Sequence, residues 1–546
     1  MSLRNICSVV NVPKILLITA TFGMITARAS AQATCPLNPV SPTVTICTPT
    51  NGATGLTSPV HVNAGTTDTG HTIKYIQVFL DGASVPPATL NQTWIDRDIS
   101  MNAGTHRLTV QATDNANTIF KSTVNITVGG TPPPPPGDLS NLKHIFFMAQ
   151  ENRSFDNYLG RLGQYRVNKG QSSNVNGIPL SFVAKTVDGR SVSPFHYQTV
   201  CTENMTPAWN ESHSDVDNGK MDRFMITNSR SLPSTIDPQG TRAMGYYDWT
   251  DLAYYYELAY QFGTSDNFFS GLLSNTIPNR MYLFTATSFG HIRTDNAPSG
   301  TFWSQPTIFD KMDSANPQVS WRYYYLDSSV YLSQFSTWQR SSGKVHAIGH
   351  PADSTGPATG YYADIQNPST LPSVIFIERA SSTGLDEHPT KNVQKGSAAV
   401  KQIIDALMAS PTWGSSAFIL TFDEGGGAFD HVPPIALPKP DTIPPMLKST
   451  DIVADFDHSG FRIPLWVVSP WSKPNYVSHT GTDFTSILKL IEVRFGLTSM
   501  TARDDAASDM TEFFDFSAPH FATPPTLPAQ PTTGVCDKTK EKAPNF

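Results

Sequence analysis

His144-Ile145-Phe146-Phe147-Met148-Ala149 leads through Gln150 into Glu151-Asn152-Arg153-Ser154-Phe155-Asp156. The first part is short and apolar, the pattern of a strand buried on both faces of a parallel sheet. It delivers a carboxylate and an amide together just past the end of that strand. In open α/β sheets ligands bind there. A polar group buried without a partner is costly, and a metal or a phosphate would give Glu151 and Asn152 one. The competing reading is an ordinary surface turn. Asn152-Arg153-Ser154 also fits a glycosylation acceptor, but its place in the strand-end cluster favours a ligand role for Asn152.

A second strand end repeats the pattern. Ala417-Phe418-Ile419-Leu420 runs into Thr421-Phe422-Asp423-Glu424-Gly425-Gly426-Gly427-Ala428-Phe429-Asp430-His431. The glycines let the backbone bend sharply and approach a ligand closely. Glu151, Asp423, Glu424 and the Asn152 amide are hard oxygen donors, suited to one divalent cation whose identity stays open among Ca, Mg, Mn and Zn.

A third stretch is Ser274-Asn275-Thr276-Ile277-Pro278-Asn279-Arg280. Pro278 fits the first turn of a helix. Thr276 then stands at the helix N-terminus, where free N–H groups and the dipole favour an anion. Its hydroxyl is a candidate nucleophile toward phosphorus; a plain N-cap is the alternative. Histidines complete the set. His213 lies in Trp209-Asn210-Glu211-Ser212-His213, His388 in Asp386-Glu387-His388-Pro389, and His479 in Tyr476-Val477-Ser478-His479-Thr480. His388 and His479 each follow a core strand, which predicts that they face one rim. There they would bond phosphate oxygens or protonate a leaving group.

Around these clusters the chain has 546 residues, 39% apolar and 15% charged, enough for more than one domain and a large core. A formal charge of −7 carries no basic footprint and argues against nucleic-acid partners. Residues 1–31 read as a secretory signal, with Arg4 and Lys14 ahead of an apolar Ile15-to-Ile25 segment and Ala29-Ser30-Ala31 as cleavage pattern. That segment is too short for a membrane span, and no later stretch is long enough. The expectation is a secreted or periplasmic protein with no transmembrane anchor. Cys35, Cys47, Cys201 and Cys536 remain after Cys7 leaves with the signal. An even count favours disulfides, and four cysteines allow three pairings. Cys35–Cys47 with Cys201–Cys536 is preferred because the first two lie close in sequence.

Residues 35–130 alternate apolar and polar residues in short runs separated by turns, as an immunoglobulin-like β-sandwich requires. Asp81-Gly82 is a hairpin signal. The stretch resembles the immunoglobulin-like modules appended to secreted bacterial enzymes, with a spacer or adhesive role. Residues 131–137 hold a proline run and read as a stiff linker. From 138 to 517 strands near 144–149, 373–377, 417–422 and 463–468 alternate with helices at 398–409 and from about 483 to Gly496. This predicts an α/β fold: a three-layer αβα sandwich around a mostly parallel sheet. Residues 518–546, rich in Pro and Thr, read as an irregular tail.

Taken together, ENRSFD at 151–156, WNESH at 209–213, NTIPNR at 275–280, EHP at 387–389, FDEGGGAFDHVPP at 422–434 and the RIPLWVVSPW-to-FTSILKLIE region at 462–492 resemble the bacterial phosphoesterase family of phospholipases C and acid phosphatases, within the alkaline phosphatase superfamily. The resemblance runs from about 144 to 496. It implies that Glu151, Asn152, Asp423 and Glu424 hold a metal, with Thr276 as nucleophile and further ligand. It implies that His213, His388 and His479 surround the phosphate. Asp430 and His431 match the motif without an assigned role. Relatives commonly carry a bulkier polar residue at Gly425 and His at Phe484.

The expected substrate is a phospholipid cleaved in phospholipase C fashion through a phosphothreonine, with transient contact to a membrane surface. A small phosphomonoester, as for an acid phosphatase, is the alternative. An inactive surface-binding protein is the rival from another class. Tyr246-Tyr247, Tyr254-Tyr255-Tyr256 and Tyr323-Tyr324-Tyr325 could cage a choline ammonium, but core packing is the preferred role for most. The Cys-x-Pro-x-Arg pattern of sulfatase chemistry is absent.

Overall fold

The computed structural model describes residues 35–56, 58–101, 104–128, 138–328, 330–354 and 356–546. The signal segment and the 131–137 linker lie outside them. The chain divides into two compact units on either side of residue 130.

The first unit is two sheets around one core. Thr43–Thr48, Val60–Thr67 and Trp94–Ile99 form one sheet; Ala53–Leu56, Ile119–Val128, Gly104–Asp114, Ile73–Leu80 and Ala83–Leu90 form the other in that order. Val62, Ala64 and Ile95 from the first meet Ile76, Val78, Leu108 and Val110 from the second. The hairpin at Asp81-Gly82 pairs Leu80 with Ala83, and both turn residues have positive φ (53° and 84°), as a type I′ turn demands. Cys35 is joined to Cys47.

The second unit is built on eight strands: β1 His144–Gln150, β2 Gly263–Ser265, β3 Trp321–Tyr325, β4 Val345–Ala347, β5 Val374–Glu378, β6 Ser416–Phe422, β7 Leu465–Val468 and β8 Val477–Ser478. Their order across the sheet is β4-β3-β5-β1-β6-β7-β2-β8. Every neighbouring pair is parallel except those made by β7, which runs against both β6 and β2. Helices that position the site are α1 Phe155–Leu159, α2 Trp209–Val216, α3 Thr276–Thr285, α4 Ile308–Ser314, α5 Val393–Met408 and α6 Thr485–Phe495.

Neighbouring residues of β1 show why there are three layers. Successive side chains of a strand point to opposite faces. Phe146 meets Tyr361, whose hydroxyl donates to the Ile403 carbonyl of α5. Phe147 meets Phe309 of α4 and Phe376, which packs on Phe284 of α3. Helices therefore cover both faces. All seven β1 residues are buried.

Helix α5 begins five residues before the apolar pattern suggests. Asn392 caps it, accepting from the N–H groups of Gln394 and Lys395. Helix α6 ends at Gly496 with φ 67°, the left-handed cap expected there. The tail is irregular apart from one turn at Lys538–Lys540, and Cys536 is joined to Cys201. It is also tied by Gln530 to the Asp251 carbonyl at 2.7 Å and by the Gly534 N–H to Gln394 at 2.8 Å. Among the described residues no helix is long and apolar enough to cross a membrane.

The reversal of β7 corrects one expectation. The strand ahead of His479 does not end on the ligand-binding rim, because it runs antiparallel. The chain turns back through β8, which is parallel to β2. That strand, and not β7, carries the chain toward the rim and ends next to His479.

Candidate active site

Strand ends β1 and β6 and the start of α3 meet at one rim. Thr276 is the first residue of α3, and Asn275 takes the N-cap position. Thr276 Oγ1 lies 3.2 Å from Glu151 Oε2 and 3.4 Å from Asn152 Oδ1. The Asn152 N–H donates to Asp423 Oδ1 at 2.9 Å. Glu424 follows, its Oε2 accepting the Gly426 N–H. Glycine is required at 426 because its φ is 66° and a Cβ there would stand 2.3 Å from the Asn152 carbonyl oxygen. Asn152 itself has φ 60° and is buried, so its sequon offers no accessible amide.

Two guanidiniums, Arg280 fully buried and Arg379 partly exposed, complete this centre, and sequence reasoning gave neither a role. Arg280 lies one turn along α3 from Thr276, on the same face. Its Nη2 donates to Glu151 Oε1 at 3.0 Å, its Nη1 to Glu378 Oε1 at 3.2 Å, and its Nε stands 3.3 Å from Asp423 Oδ2. Arg379, directly after β5, pairs with Glu151 and donates to Glu378 Oε1 at 2.8 Å. The available signals were the last letter of NTIPNR and the Glu378-Arg379 pair at a strand end.

Four carboxylates, Glu151, Glu378, Asp423 and Glu424, thus meet two guanidiniums, which leaves two negative charges without a cation. Glu424 Oε1 is buried with no hydrogen-bond partner, and Asp423 Oδ2 has no hydrogen bond and only its ion pair with Arg280 Nε. Such orphaned oxygens are costly. An all-oxygen donor set with a two-charge deficit fits a divalent cation. Burial alone would raise the Glu151 carboxyl, but Arg379, Arg280 and His388 outweigh it and hold it down to about 2. Burial and then the Glu151 charge push Asp423 well above the usual range, and burial and then Asp423 do the same to Glu424.

The three histidines are not alike. His388 sits beside Glu151: its N–H donates to Asp386 Oδ1 at 3.2 Å, and the Glu151 N–H donates to the Asp386 carbonyl at 2.9 Å. Its predecessor Glu387 is fully buried, receiving the hydroxyls of Tyr158 at 2.8 Å and Tyr255 at 2.5 Å. His213 bonds the Trp209 carbonyl through Nδ1 at 2.7 Å and lies 4.1 Å from the Trp209 ring. Burial lowers its pKa. His479 Nδ1 bonds Asp266 at 2.8 Å, which raises its pKa. Among the described residues neither His213 nor His479 is hydrogen-bonded to Thr276 or Glu151.

Asp430 and His431 belong to a clamp next door. Arg462 donates to Asp156 at 2.9 Å and to Asp430 at 3.1 Å, and His431 Nδ1 bonds Asp156 at 2.7 Å. The Asp156 N–H donates to Asp430 at 3.1 Å. This network fastens α1 to the 423–431 loop, so it sets Glu151-Asn152 against Asp423-Glu424. Arg462 also reaches the Asp266 carbonyl at 2.8 Å, which links His479 to the same clamp. The tyrosine clusters are mostly core: Tyr247, Tyr254, Tyr255, Tyr256, Tyr323 and Tyr324 are buried. Phe484 is also buried, edge-on to Phe268.

The Phosphoesterase family model matches residues 142–498. The chain belongs to the phosphoesterase family. It is therefore a hydrolase of phosphoesters, with a Bacterial Ig domain model matching residues 42–110. Curated relatives of this phosphoesterase include phospholipase C B of Mycobacterium tuberculosis, 29% identical over 76% of this chain and 85% of the relative. Phospholipase C A of the same organism is 30% identical over 76% and 84%. A solved alkaline phosphatase superfamily protein from Vibrio parahaemolyticus aligns over 62% of this chain and 73% of its own, with 9% identity and a TM-score of 0.30.

Proposed function

We propose that this phosphoesterase is a secreted, metal-dependent enzyme of the phospholipase C type, cleaving a phosphodiester such as phosphatidylcholine through a phosphothreonine on Thr276. The observation that carries this reading is Thr276 Oγ1 at the start of a ten-residue helix, 3.2 Å from Glu151 and 3.4 Å from Asn152. The phospholipase C names of the relatives support the substrate class. Two disulfides and the signal-like segment support export.

Glu151, Asn152, Asp423, Glu424 and Thr276 would hold the cation. When bound, it lowers the pKa of the Thr276 hydroxyl and neutralises phosphate oxygens. The α3 N-terminus presents its free N–H groups to the same phosphate. Glu151 Oε2 accepts from the Thr276 hydroxyl and so orients it. Thr276 Oγ1, giving up its proton to solvent, attacks phosphorus in line, and the bond from phosphorus to the diacylglycerol oxygen breaks. His388, His213 and His479 are assigned to the phosphate oxygens and to the proton that the leaving oxygen needs. Water then cleaves the phosphothreonine, restores the hydroxyl and releases the phosphomonoester.

The test is an assay of purified wild type and Thr276→Ala on phosphatidylcholine and on p-nitrophenyl phosphate. Diacylglycerol release by wild type alone is the expected result. Turnover of only the monoester would make it an acid phosphatase. Turnover of neither would favour a binding protein.

A further inference from the structure

A cavity of about 760 Å³ lies at the far end of α3 from Thr276, with Thr285 in its wall. Nine positions along the helix separate the two, roughly 14 Å along the axis. The volume falls in the range of small-molecule sites. Its chemistry is one-sided. The wall's ionic groups already have partners: Asp310 takes Thr307 and Arg340, Lys311 holds the Thr498 and Ser499 carbonyls, and Asp441 takes the Thr287 hydroxyl and the Ile443 N–H. Phe289, Pro306, Pro440, Ile443 and Met500 supply the remaining apolar wall. A ligand there gains mainly by burying hydrocarbon.

A chain segment and a loop run from the cavity toward the start of α3. Segment 287–293 leaves the cavity wall and reaches the nucleophile's neighbour, where Ser274 Oγ donates to the Ile292 carbonyl at 2.6 Å. Alongside runs the 443–452 loop, fastened by the Met446 N–H to the Gly290 carbonyl at 2.8 Å and by Arg293 to the Met446 carbonyl at 3.1 Å. On it Ile443 and Met446 remain 42% and 48% exposed. Phe289 is held at φ 50°, a left-handed conformation that a bulky residue seldom adopts.

We propose that this cavity binds an acyl chain of the glycerophospholipid whose phosphate meets Thr276, with Ile443 and Met446 forming its mouth. The inference rests on the lipid reading given under Proposed function. It adds what that reading leaves open: a place for the hydrocarbon, and hence a preference for substrates with long chains.

The test titrates the purified full chain with dansyl-undecanoic acid, followed by fluorescence, and competes the probe with saturated alcohols of six to twelve carbons. Competitor affinity is expected to rise about four-fold per methylene until the cavity is filled. Ile443→Asp, at an exposed position that leaves the circular dichroism spectrum intact, is expected to weaken the probe by about ten-fold or more. Leu180→Asp, at another exposed apolar residue, is expected to bind like wild type. A flat chain-length series, or equal binding by Ile443→Asp, overturns the proposal. The two readings fail separately. Probe binding without hydrolysis of phosphatidylcholine by wild type overturns the substrate and so the acyl-chain identity. Lipid hydrolysis with a flat series overturns the cavity alone.

Discussion

Arg280 donates from Nη2 to Glu151 Oε1 at 3.0 Å, from a guanidinium wholly withdrawn from solvent. Replacing it by Met leaves Glu151, Glu378 and Asp423 with Arg379 alone. Loss of one partner from a buried ionic cluster costs about 3–5 kcal/mol. Arg280→Met should therefore lower the unfolding free energy by that amount, read from urea melts as the midpoint shift times the slope. Arg280→Lys, which cannot fork to three acids, should recover only part. A midpoint equal to wild type would mean that the cluster is not structural.

Thr276→Ala should lower turnover by at least about a thousand-fold while the thermal midpoint stays close to wild type, because the side chain is only partly buried. Thr276→Ser should keep measurable activity. Wild type acid-quenched during turnover of phosphatidylcholine should carry a phosphocholine group on Thr276 by mass spectrometry. A phosphopeptide elsewhere would relocate the nucleophile.

Removing the cation with a chelator should abolish activity and lower the melting temperature. Restoring a divalent ion at a hundred times its dissociation constant should return about 2.7 kcal/mol. Glu424→Gln, which weakens one oxygen donor, should need more metal for the same effect. Thermal melts against metal concentration give both numbers. A melting curve indifferent to chelator would remove the cation from the scheme.

Glu387 sets a pH dependence. Burial raises its carboxyl to about 7 against the pull of Tyr255, Tyr158, Gln150 and Arg153. Below the ordinary glutamate value both folded and unfolded chains hold the proton. Between that value and about 7 the unfolded chain ionises first, so stability drains as pH rises. Above 7 both are ionised and the penalty stays constant, roughly 3 kcal/mol in all. Glu387→Gln should flatten this part of the stability–pH curve in urea melts between pH 4 and 8. A slope equal to wild type would assign the dependence to other groups.

Much of the catalytic unit was legible because its strands are short apolar runs that stop at polar clusters. Glu151-Asn152 and Asp423-Glu424 stand at such stops, and β1 and β6 are neighbours in register, Ile145 beside Ala417 through Gln150 beside Phe422. Strand direction leaves no mark in an apolar run, so the reversal of β7 was hidden. Arg280 and Arg379 were hidden for another reason: Glu151, the carboxylate they share at the site, lies more than a hundred positions from either, so no local pattern joins them. In the sandwich, Ala83–Leu90 carries Pro86 and Pro87, which in the sequence argue against a strand. It is an edge strand, where missing N–H donors are tolerated.

The Cys201–Cys536 bridge spans 335 positions and makes most of the second unit one covalent ring. A protease that cuts an exposed turn inside that ring severs the backbone without freeing a fragment. On a denaturing gel the nicked protein should migrate near full size until a thiol is added, and then split in two.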